Sequence, residues 1–284
     1  MEIRLARTAG FCMGVKRAVD LVLDIAQHKG DEKIYTYGPL IHNPQTVDLL
    51  KQRGIVPVTD LGSVEEGTII IRAHGISPQE RKILRDKGLK IIDATCPRVG
   101  RVQAIIKKHA ARGYAVLIVG DKEHPEVDGL LGYSAGQGIV IGRLEDVETL
   151  PSLERVCVVA QTTQSAEEYA AIVDRIRSRY SDVLVFDTIC DSTEKRQSEI
   201  RDLASEMDAV FIVGGRNSAN TRRLVQISTA KGIPTFHIET AEELDGVPID
   251  IDNPHFWAEL FRKIAYREGI GDALAEGGYR AALK

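Results

Sequence analysis

The sequence predicts an α/β fold built from mainly parallel sheets. Short apolar runs rich in Val and Ile alternate with longer amphipathic stretches along most of the 284-residue chain, which is the pattern of strands and helices in parallel sheets. A cysteine recurs at the point where a predicted strand passes into a predicted helix. The chain is also long enough for two or three compact units. We therefore expect three related α/β units.

Six apolar runs are predicted to be buried strands. They are GTIIIRAHG (67–75), LKIIDATC (89–96), YAVLIVGD (114–121), VCVVAQTT (156–163), VLVFDTIC (183–190) and DAVFIVGG (208–215). Between them, RVQAIIKKHAARG and EYAAIVDRIRSRY place apolar residues three and four positions apart, as amphipathic helices do. Ligands of such folds bind beyond the carboxyl ends of the strands, so the residues that follow these runs are the first site candidates.

Three cysteines stand at the same kind of strand-to-helix joint. IIDATCPRVGRVQAII and VFDTICDSTEKRQSEI both run from an apolar strand through Asp, two residues and Cys into a polar helix start, and FCMGVKRAVDLVL repeats the step from cysteine to helix. Cys12, Cys96 and Cys190 are 84 and 94 residues apart, about one small α/β unit each. The predicted units are 13–95, 96–189 and 190–284, the last completed by a strand over 1–12.

Thiols at three equivalent joints suit a metal ion or an iron–sulfur cluster. Helix N-termini lower the pKa of a thiol and so favour the thiolate. Structural zinc sites usually take paired ligands a few residues apart, whereas three cysteines on a 4Fe–4S cluster leave one iron open to a substrate oxygen. The spacing favours the cluster over zinc only slightly. Cys157 lies inside a predicted strand, and we expect it to pack in the core.

Three histidines follow apolar runs. His42, His74 and His124 each stand at such a position, and imidazoles donate hydrogen bonds to phosphate oxygens, although each alone also fits an exposed or structurally paired histidine. Pro125 favours an extended backbone that puts His124 and Glu126 on one side. Apolar surroundings raise the pKa of a carboxyl group, which would make Glu126 a proton donor.

Short polar residues follow two further strands. In VFIVGGRNSANTRRL a glycine pair precedes Asn217, Ser218, Asn220 and Thr221 at a helix start. This arrangement suits a phosphate or a simple helix cap, and it is not a Walker loop because the Gly-Lys-Ser/Thr ending is missing. AQTT (160–163) ends its strand with two more hydroxyls.

Composition argues against several classes of protein. The net charge of -4 and the pI near 6.0 do not suit a general nucleic-acid binder. No apolar run reaches the length of a membrane span, and MEIRLARTAG lacks the apolar core of a signal peptide. Four widely spaced cysteines make a poor disulfide framework. We expect a cytoplasmic protein without nucleic-acid or membrane partners.

Eight segments together resemble a known family. They are AGFCMGVKRAV, GPLIHNPQTVDLL, RAHGIS, DATCPRV, HPEVDGLLGY, AQTT, DTICDSTEKRQ and VGGRNSANTRRL. In this order and spacing, over residues 1 to about 245, they resemble the LytB/IspH family of 4-hydroxy-3-methylbut-2-enyl diphosphate reductases. The resemblance implies reductive dehydroxylation of that diphosphate to isopentenyl and dimethylallyl diphosphates, the last step of the methylerythritol phosphate route to isoprenoids.

The resemblance also implies roles for individual residues. It implies three units around a pseudo-threefold axis, with one 4Fe–4S cluster per subunit on Cys12, Cys96 and Cys190 and one open iron for the substrate hydroxyl. Ferredoxin or flavodoxin is the implied electron donor. The implied catalytic residues are Glu126, His124 and Thr163. The implied diphosphate-binding positions are His42, His74, His124, Thr162, Ser218, Ala219 and Asn220, with Ala219 in place of the serine that some members carry.

The chain departs from the family after about residue 245. The family's ending, with a loop resembling Gly-Val-Thr-Ala-Gly-Ala-Ser-Thr-Pro, is missing. DNPHFWAELFRKIAYREGIGDALAEGGYRAALK instead resembles a segment of tungsten-dependent aldehyde ferredoxin oxidoreductases, and its residues 254–268 read as an amphipathic helix. The family loop's serine hydrogen-bonds the diphosphate, so we expect weaker substrate binding.

Two other classes of function stay open. A hydro-lyase acting on a phosphorylated or carboxylated substrate would use an open iron to remove a hydroxyl without net electron transfer. An iron–sulfur redox sensor would need the cysteines but not the histidines or the phosphate cradle.

Overall fold

The computed structural model describes residues 4–28, 30–240 and 242–243. The chain divides into a terminal unit, Met1–Lys16 with Lys195–Lys284, and a central unit, Arg17–Glu194. The described α-helices are α1 (Met13–His28), α2 (Pro44–Gln52), α3 (Pro78–Asp86), α4 (Pro97–Ala110), α5 (Pro125–Leu131), α6 (Ala166–Arg179), α7 (Asp191–Glu206) and α8 (Ala219–Ala230). The described strands are β1 (Ile34–Tyr37), β2 (Ile55–Val58), β3 (Thr68–Ile71), β4 (Lys90–Asp93), β5 (Ala115–Val119), β6 (Gly138–Ile141), β7 (Arg155–Ala160), β8 (Asp182–Val185), β9 (Val210–Val213) and β10 (Thr235–Ile238).

Two four-stranded sheets with the same strand order make up the central unit. The first runs β2-β1-β3-β4 and the second β6-β5-β7-β8, and every neighbouring pair is parallel. The first strand of each sheet pairs with the third in the same way, Ile34 opposite Thr68 and Ala115 opposite Val156. This repeated topology supports the predicted relationship between units and confirms the α/β class with parallel sheets.

A third parallel sheet lies in the terminal unit. It pairs β9 with β10, with Val210 opposite Thr235. The two strands are consecutive in the chain and adjacent in the sheet, as β1 and β2 are in the first sheet and β5 and β6 in the second. The unit boundaries after residues 95 and 189 remain a prediction.

Both faces of the second sheet are buried. Alternate residues of a strand point to opposite faces, so Val158 joins a hydrophobic cluster with α6 whereas Cys157 joins another with α4 and α5. Cys157 is fully buried, as predicted. Burial raises the pKa of its thiol to about 12, so Cys157 is a neutral core residue at physiological pH.

The N-terminal segment differs from its prediction. The sequence predicts a strand over 1–12, but residues 4–12 form no strand. Side chains of α7 take up their backbone groups instead. The Thr8 N–H donates to Glu199 at 2.8 Å, and the Arg196 guanidinium donates to the Thr8 carbonyl at 3.1 Å. These bonds replace the pairing that a neighbouring strand would give.

The six strands predicted from apolar runs are all present, each shorter than its run, as β3, β4, β5, β7, β8 and β9. The six predicted runs do not include β1, β2, β6 and β10, which are four residues each. One of them, β2, contains Pro57, which a sheet accepts because β2 lies at an edge. The helix predicted over 254–268 lies outside the described residues. Among the described helices, none is long and apolar enough to cross a membrane.

Candidate active site

Helices that begin with proline follow four strands of the central unit. In α2, α3, α4 and α5 proline is the first helical residue, where its missing N–H costs nothing and its fixed φ favours the first turn. The residue before each proline has ψ between 107° and 159°, because proline disfavours helical backbone in front of it. Asn43, Cys96 and His124 are three of these N-cap residues, so the same local rule places a histidine and a cysteine beside strand ends.

Three imidazoles from different loops meet in the central unit. His42 follows β1, His74 follows β3 and His124 follows β5. The ring centroids lie 4.4 Å apart for His42 and His74, 5.4 Å for His42 and His124, and 5.5 Å for His74 and His124. One nitrogen of each ring lies within 4.8 Å of the other two. The structure therefore brings together the three histidines that the sequence singled out, from the ends of two different sheets.

His74 is neutral at physiological pH. Burial lowers its pKa well below the usual value, and the neighbouring His42, His124 and Arg72 lower it further. Its Nδ1 is buried and has no hydrogen-bond partner among the described residues. A neutral ring carries one donor and one acceptor, so His74 has hydrogen-bonding capacity left for a ligand.

His124 caps the helix that carries Glu126. The sequence predicts an extended backbone through Pro125, but α5 begins at Pro125 and only His124 is extended, with φ −78° and ψ 133°. The Glu126 N–H donates to Nδ1 of His124 at 3.2 Å. An imidazole thus takes the place of the usual hydroxyl or carboxylate cap. Because Nδ1 accepts this bond, the proton of the neutral ring lies on Nε2.

Glu126 is a buried carboxyl group held by one threonine. Its side chain is among the most buried acidic groups of the described chain, with the residue 3% exposed. The Thr162 N–H donates to Oε1 at 2.7 Å, and the Thr162 hydroxyl donates to Oε2 at 2.8 Å. Burial raises the pKa of Glu126 to about 7, against the opposing effect of both Thr162 bonds. A carboxyl group with this pKa exchanges its proton near neutral pH, and the role of Glu126 as a proton donor stays a prediction.

The same threonine connects Glu126 to a cysteine joint. The Thr162 carbonyl accepts the Cys190 N–H at 2.9 Å and the Thr193 hydroxyl at 3.0 Å. Thr162 is itself buried. One residue at the end of β7 thus fixes the acid on one side and the start of α7 on the other.

Two cysteine joints of the central unit have the same hydrogen bond. The Cys96 N–H donates to the Ala73 carbonyl at 2.9 Å, as the Cys190 N–H donates to that of Thr162. Ala73 and Thr162 each lie two residues beyond the third strand of their sheet. The repeat inferred from the sequence therefore extends to the backbone around the cysteines.

Cys12 lies in the terminal unit, directly before α1. Its carbonyl accepts the Lys16 N–H at 2.9 Å. Cys12, Cys96 and Cys190 are each partly exposed and each precede the first residue of a helix. Local structure thus confirms the predicted cysteine-to-helix step at all three positions.

The short polar residues predicted to bind diphosphate are divided between the two units. Ser218 caps α8 by accepting the Thr221 N–H, and Ala219 and Asn220 follow it in the terminal unit. A side chain at Gly214 would come within 2.6 Å of the Thr221 hydroxyl, which explains the glycine. In the central unit, the Thr163 hydroxyl accepts a bond from Gln161 Nε2 at 2.9 Å.

Arg72, two residues before His74, was not predicted as a site residue. Burial lowers the pKa of its guanidinium, which the charge of Glu80 partly offsets. The guanidinium lies 5.8 Å from the centre of the Tyr37 ring. Gly38, at φ +70°, leaves it room, because a Cβ there would be 2.6 Å from Arg72 Nη1. In the sequence, Arg72 is recognisable only as a cation close to His74 in RAHG. The pattern of apolar residues that predicts strands does not single out such a residue.

The histidine cluster suits an anion of phosphate size. Nitrogens within 4.8 Å of one another can each reach oxygens of one phosphoryl group through hydrogen bonds of about 2.8 Å. Neutral imidazoles donate such bonds without the cost of burying a charge. Glu126 belongs to the helix that His124 caps, because its N–H donates to His124 Nδ1.

Side chains of these kinds beyond the carboxyl ends of parallel strands define an α/β enzyme with its active site at the strand ends. The chain belongs to the LytB protein family, whose sequence pattern matches residues 3–265. The match extends past residue 245, the approximate point at which the sequence motifs predicted a departure from the family.

Named relatives agree with this family. The chain is 44% identical over 256 residues to the 4-hydroxy-3-methylbut-2-enyl diphosphate reductase of Opitutus terrae, covering 86% of this chain and 88% of the relative. It is 47% identical over 247 residues to the reductase of the same name from Aquifex aeolicus, covering 86% and 85%.

A solved structure shares the fold. The E-1-hydroxy-2-methyl-but-2-enyl-4-diphosphate reductase of Plasmodium falciparum is 30% identical and superposes with a TM-score of 0.81, over 84% of this chain and 77% of that one. A second solved structure, described as (E)-4-hydroxy-3-methyl-but-2-enyl diphosphate reductase, the terminal enzyme of the non-mevalonate pathway, is 46% identical, with a TM-score of 0.66 over 90% and 88%.

Proposed function

We propose that this enzyme reduces 4-hydroxy-3-methylbut-2-enyl diphosphate to isopentenyl and dimethylallyl diphosphates. In this reaction the C–O bond to the hydroxyl breaks and a C–H bond forms. Two electrons and two protons are consumed, and water leaves. The site must therefore hold a diphosphate, deliver protons and accept electrons from a donor.

The observation that carries the proposal is the pairing of the histidine cluster with a buried acid. His42, His74 and His124 offer imidazole donors within 4.8 Å of one another, and Glu126 stands at the start of the helix that His124 caps. With the diphosphate bound at the imidazoles, the hydroxyl end of the five-carbon substrate would be the end that approaches Glu126. Glu126, with a pKa of about 7, then protonates the departing hydroxyl.

Thr162 and Thr163 are proposed to support this acid. Thr162 donates hydrogen bonds to both carboxyl oxygens of Glu126. To bind the diphosphate as well, the Thr162 hydroxyl would have to give up its bond to Glu126. Thr163 stands next in the chain and assists proton delivery. In the terminal unit, Ser218, the Ala219 N–H and Asn220 are proposed to bind the diphosphate at the N-terminus of α8.

Cys12, Cys96 and Cys190 are proposed to hold a 4Fe–4S cluster. The donor set fits, because all three thiols are partly exposed at helix starts, whereas the buried Cys157 stays protonated. A 4Fe–4S cluster with one iron free of protein ligands supplies single electrons and a Lewis acid for the leaving hydroxyl. Ferredoxin or flavodoxin is the proposed electron donor.

The test is an anaerobic assay of the full iron-loaded chain with reduced methyl viologen and the hydroxymethylbutenyl diphosphate. The proposal requires oxidation of two viologen radicals per molecule of substrate, with isopentenyl and dimethylallyl diphosphates as products. A hydro-lyase would consume the substrate without oxidising viologen, and a redox sensor would leave it intact. Either result would overturn the proposal.

A further inference from the structure

The turn that carries His74 is supported from behind by a side chain with no assigned role. The turn runs from Arg72 to Gly75, whose N–H donates to the Arg72 carbonyl at 3.0 Å. Gly75 has φ +73°, and a Cβ there would lie 2.4 Å from Nε2 of Gln103. The carboxamide of Gln103 therefore lies directly against the backbone one residue from His74.

Gln103 is buried at a cost to the folded state. The residue is 7% exposed, and its Nε2 has no hydrogen-bond partner among the described residues. A buried donor without a partner destabilises a protein, and an apolar side chain of the same size would remove that cost. The amide must be explained by something other than packing.

Gln103 lies in α4, the helix that Cys96 directly precedes. Cys96 caps α4 and donates its N–H to Ala73 in the His74 turn, while Gln103 packs on Gly75 two helical turns further along. The segment around α4 thus holds the His74 turn at two points. A fixed N–H dipole in a buried setting acts strongly on a nearby negative charge, because little water screens it.

We propose that Gln103 is a positioning residue of the anion site. Its side chain packs against the His74 turn, and its amide directs the positive end of its dipole towards that turn. The unpaired donor destabilises the free protein, and a bound anion offsets that cost. The inference rests on the proposed function, since it takes the histidine cluster as a diphosphate site.

The test compares the wild-type chain with Gln103→Met, which keeps the length and volume of the side chain and removes the amide. His109→Phe is the matched control, because His109 lies on the same helix, is buried, and has an Nδ1 without a partner among the described residues. Three quantities are measured on the iron-loaded chain: the Tm, the KM and kcat for the diphosphate substrate, and the Kd for inorganic pyrophosphate by calorimetry.

Gln103→Met should keep or raise the Tm. KM and the pyrophosphate Kd should rise about tenfold, or about 1.4 kcal/mol, because the amide dipole no longer acts on the bound anion, with kcat within about twofold. His109→Phe should leave KM and Kd unchanged. Wild-type KM and Kd in Gln103→Met would overturn the inference and leave the proposed function standing. Failure of the wild-type chain to bind pyrophosphate and to reduce the substrate would overturn both.

Discussion

At the scale of single residues, burial determines the protonation state of two ionisable side chains. Glu126 and Cys157 both have a raised pKa because of burial. For Glu126 the result is a carboxyl group that is half-protonated near pH 7, while for Cys157 it is an inert thiol. The sequence predicted core packing for Cys157 from its place inside a strand, and a raised pKa for Glu126 from its apolar surroundings. It could not predict Gln103 or Arg72, because their positions depend on glycines in other segments, Gly75 and Gly38, that leave room for them.

The raised pKa of Glu126 predicts how activity changes with pH. Above pH 7 the free enzyme loses the proton that the reaction needs, so kcat/KM should fall about tenfold per pH unit. Glu126→Gln should lower kcat by about 10²–10⁴-fold and abolish this alkaline decline. Pyrophosphate binding should stay near the wild-type value. A Glu126→Gln variant with wild-type turnover would remove Glu126 from the mechanism.

The same shift predicts a stability effect of fixed sign. A carboxyl group whose folded pKa is raised from 4.5 to about 7 binds its proton more tightly when folded. Wild-type stability therefore falls as pH rises from 4.5 to 7, by about 3 kcal/mol from this group. Urea unfolding at pH 5 and pH 8 should show a larger loss for the wild type than for Glu126→Gln. Equal losses would contradict the buried, raised pKa.

At the scale of elements, the site depends on how helices begin after strands. Proline at the first helical position and an extended residue before it recur at α2, α3, α4 and α5, and this rule is readable from sequence. The prediction for the segment around Pro125 still missed the helix start, because the extended preference applies to the residue before proline and not to the residue after it. The absent strand over 4–12 has a different cause, since Glu199 and Arg196 bond that backbone from a helix far along the chain.

Two glycines give a prediction about the His74 turn, since Gly75 is its last residue and Gly129 packs next to it. Gly75→Ala should destabilise the protein by more than about 1 kcal/mol, because alanine is strained at φ +73° and its Cβ would meet Gln103. Gly129→Ala is the control. Its Cβ would lie 3.6 Å from Ile76, an ordinary contact, and alanine favours the helix by about 1 kcal/mol. Urea unfolding should therefore rank Gly129→Ala above Gly75→Ala, and the reverse order would contradict the described turn.

At the scale of the whole molecule, the cysteine spacing predicted related α/β units, and the two central sheets share one strand order. The strand order itself could not be predicted, because pairing between strands is set by packing across distant segments and four-residue strands such as β1 and β6 carry little signal. The strand order bears on the candidate site because it places the third strand of each sheet beside the fourth. The N–H groups of Cys96 and Cys190, which follow the fourth strands, donate to the carbonyls of Ala73 and Thr162, which follow the third strands.

The proposed reaction depends on a single iron–sulfur cluster held by one cysteine from each predicted unit. The decisive measurement is the iron content per chain after anaerobic preparation. It is made for the wild type, for Cys12→Ser, Cys96→Ser and Cys190→Ser, and for Cys157→Ser as the control. We expect about four irons per wild-type chain, retention in Cys157→Ser, and loss of most iron from each of the other three variants. Full iron retention in Cys190→Ser would contradict the three-cysteine site.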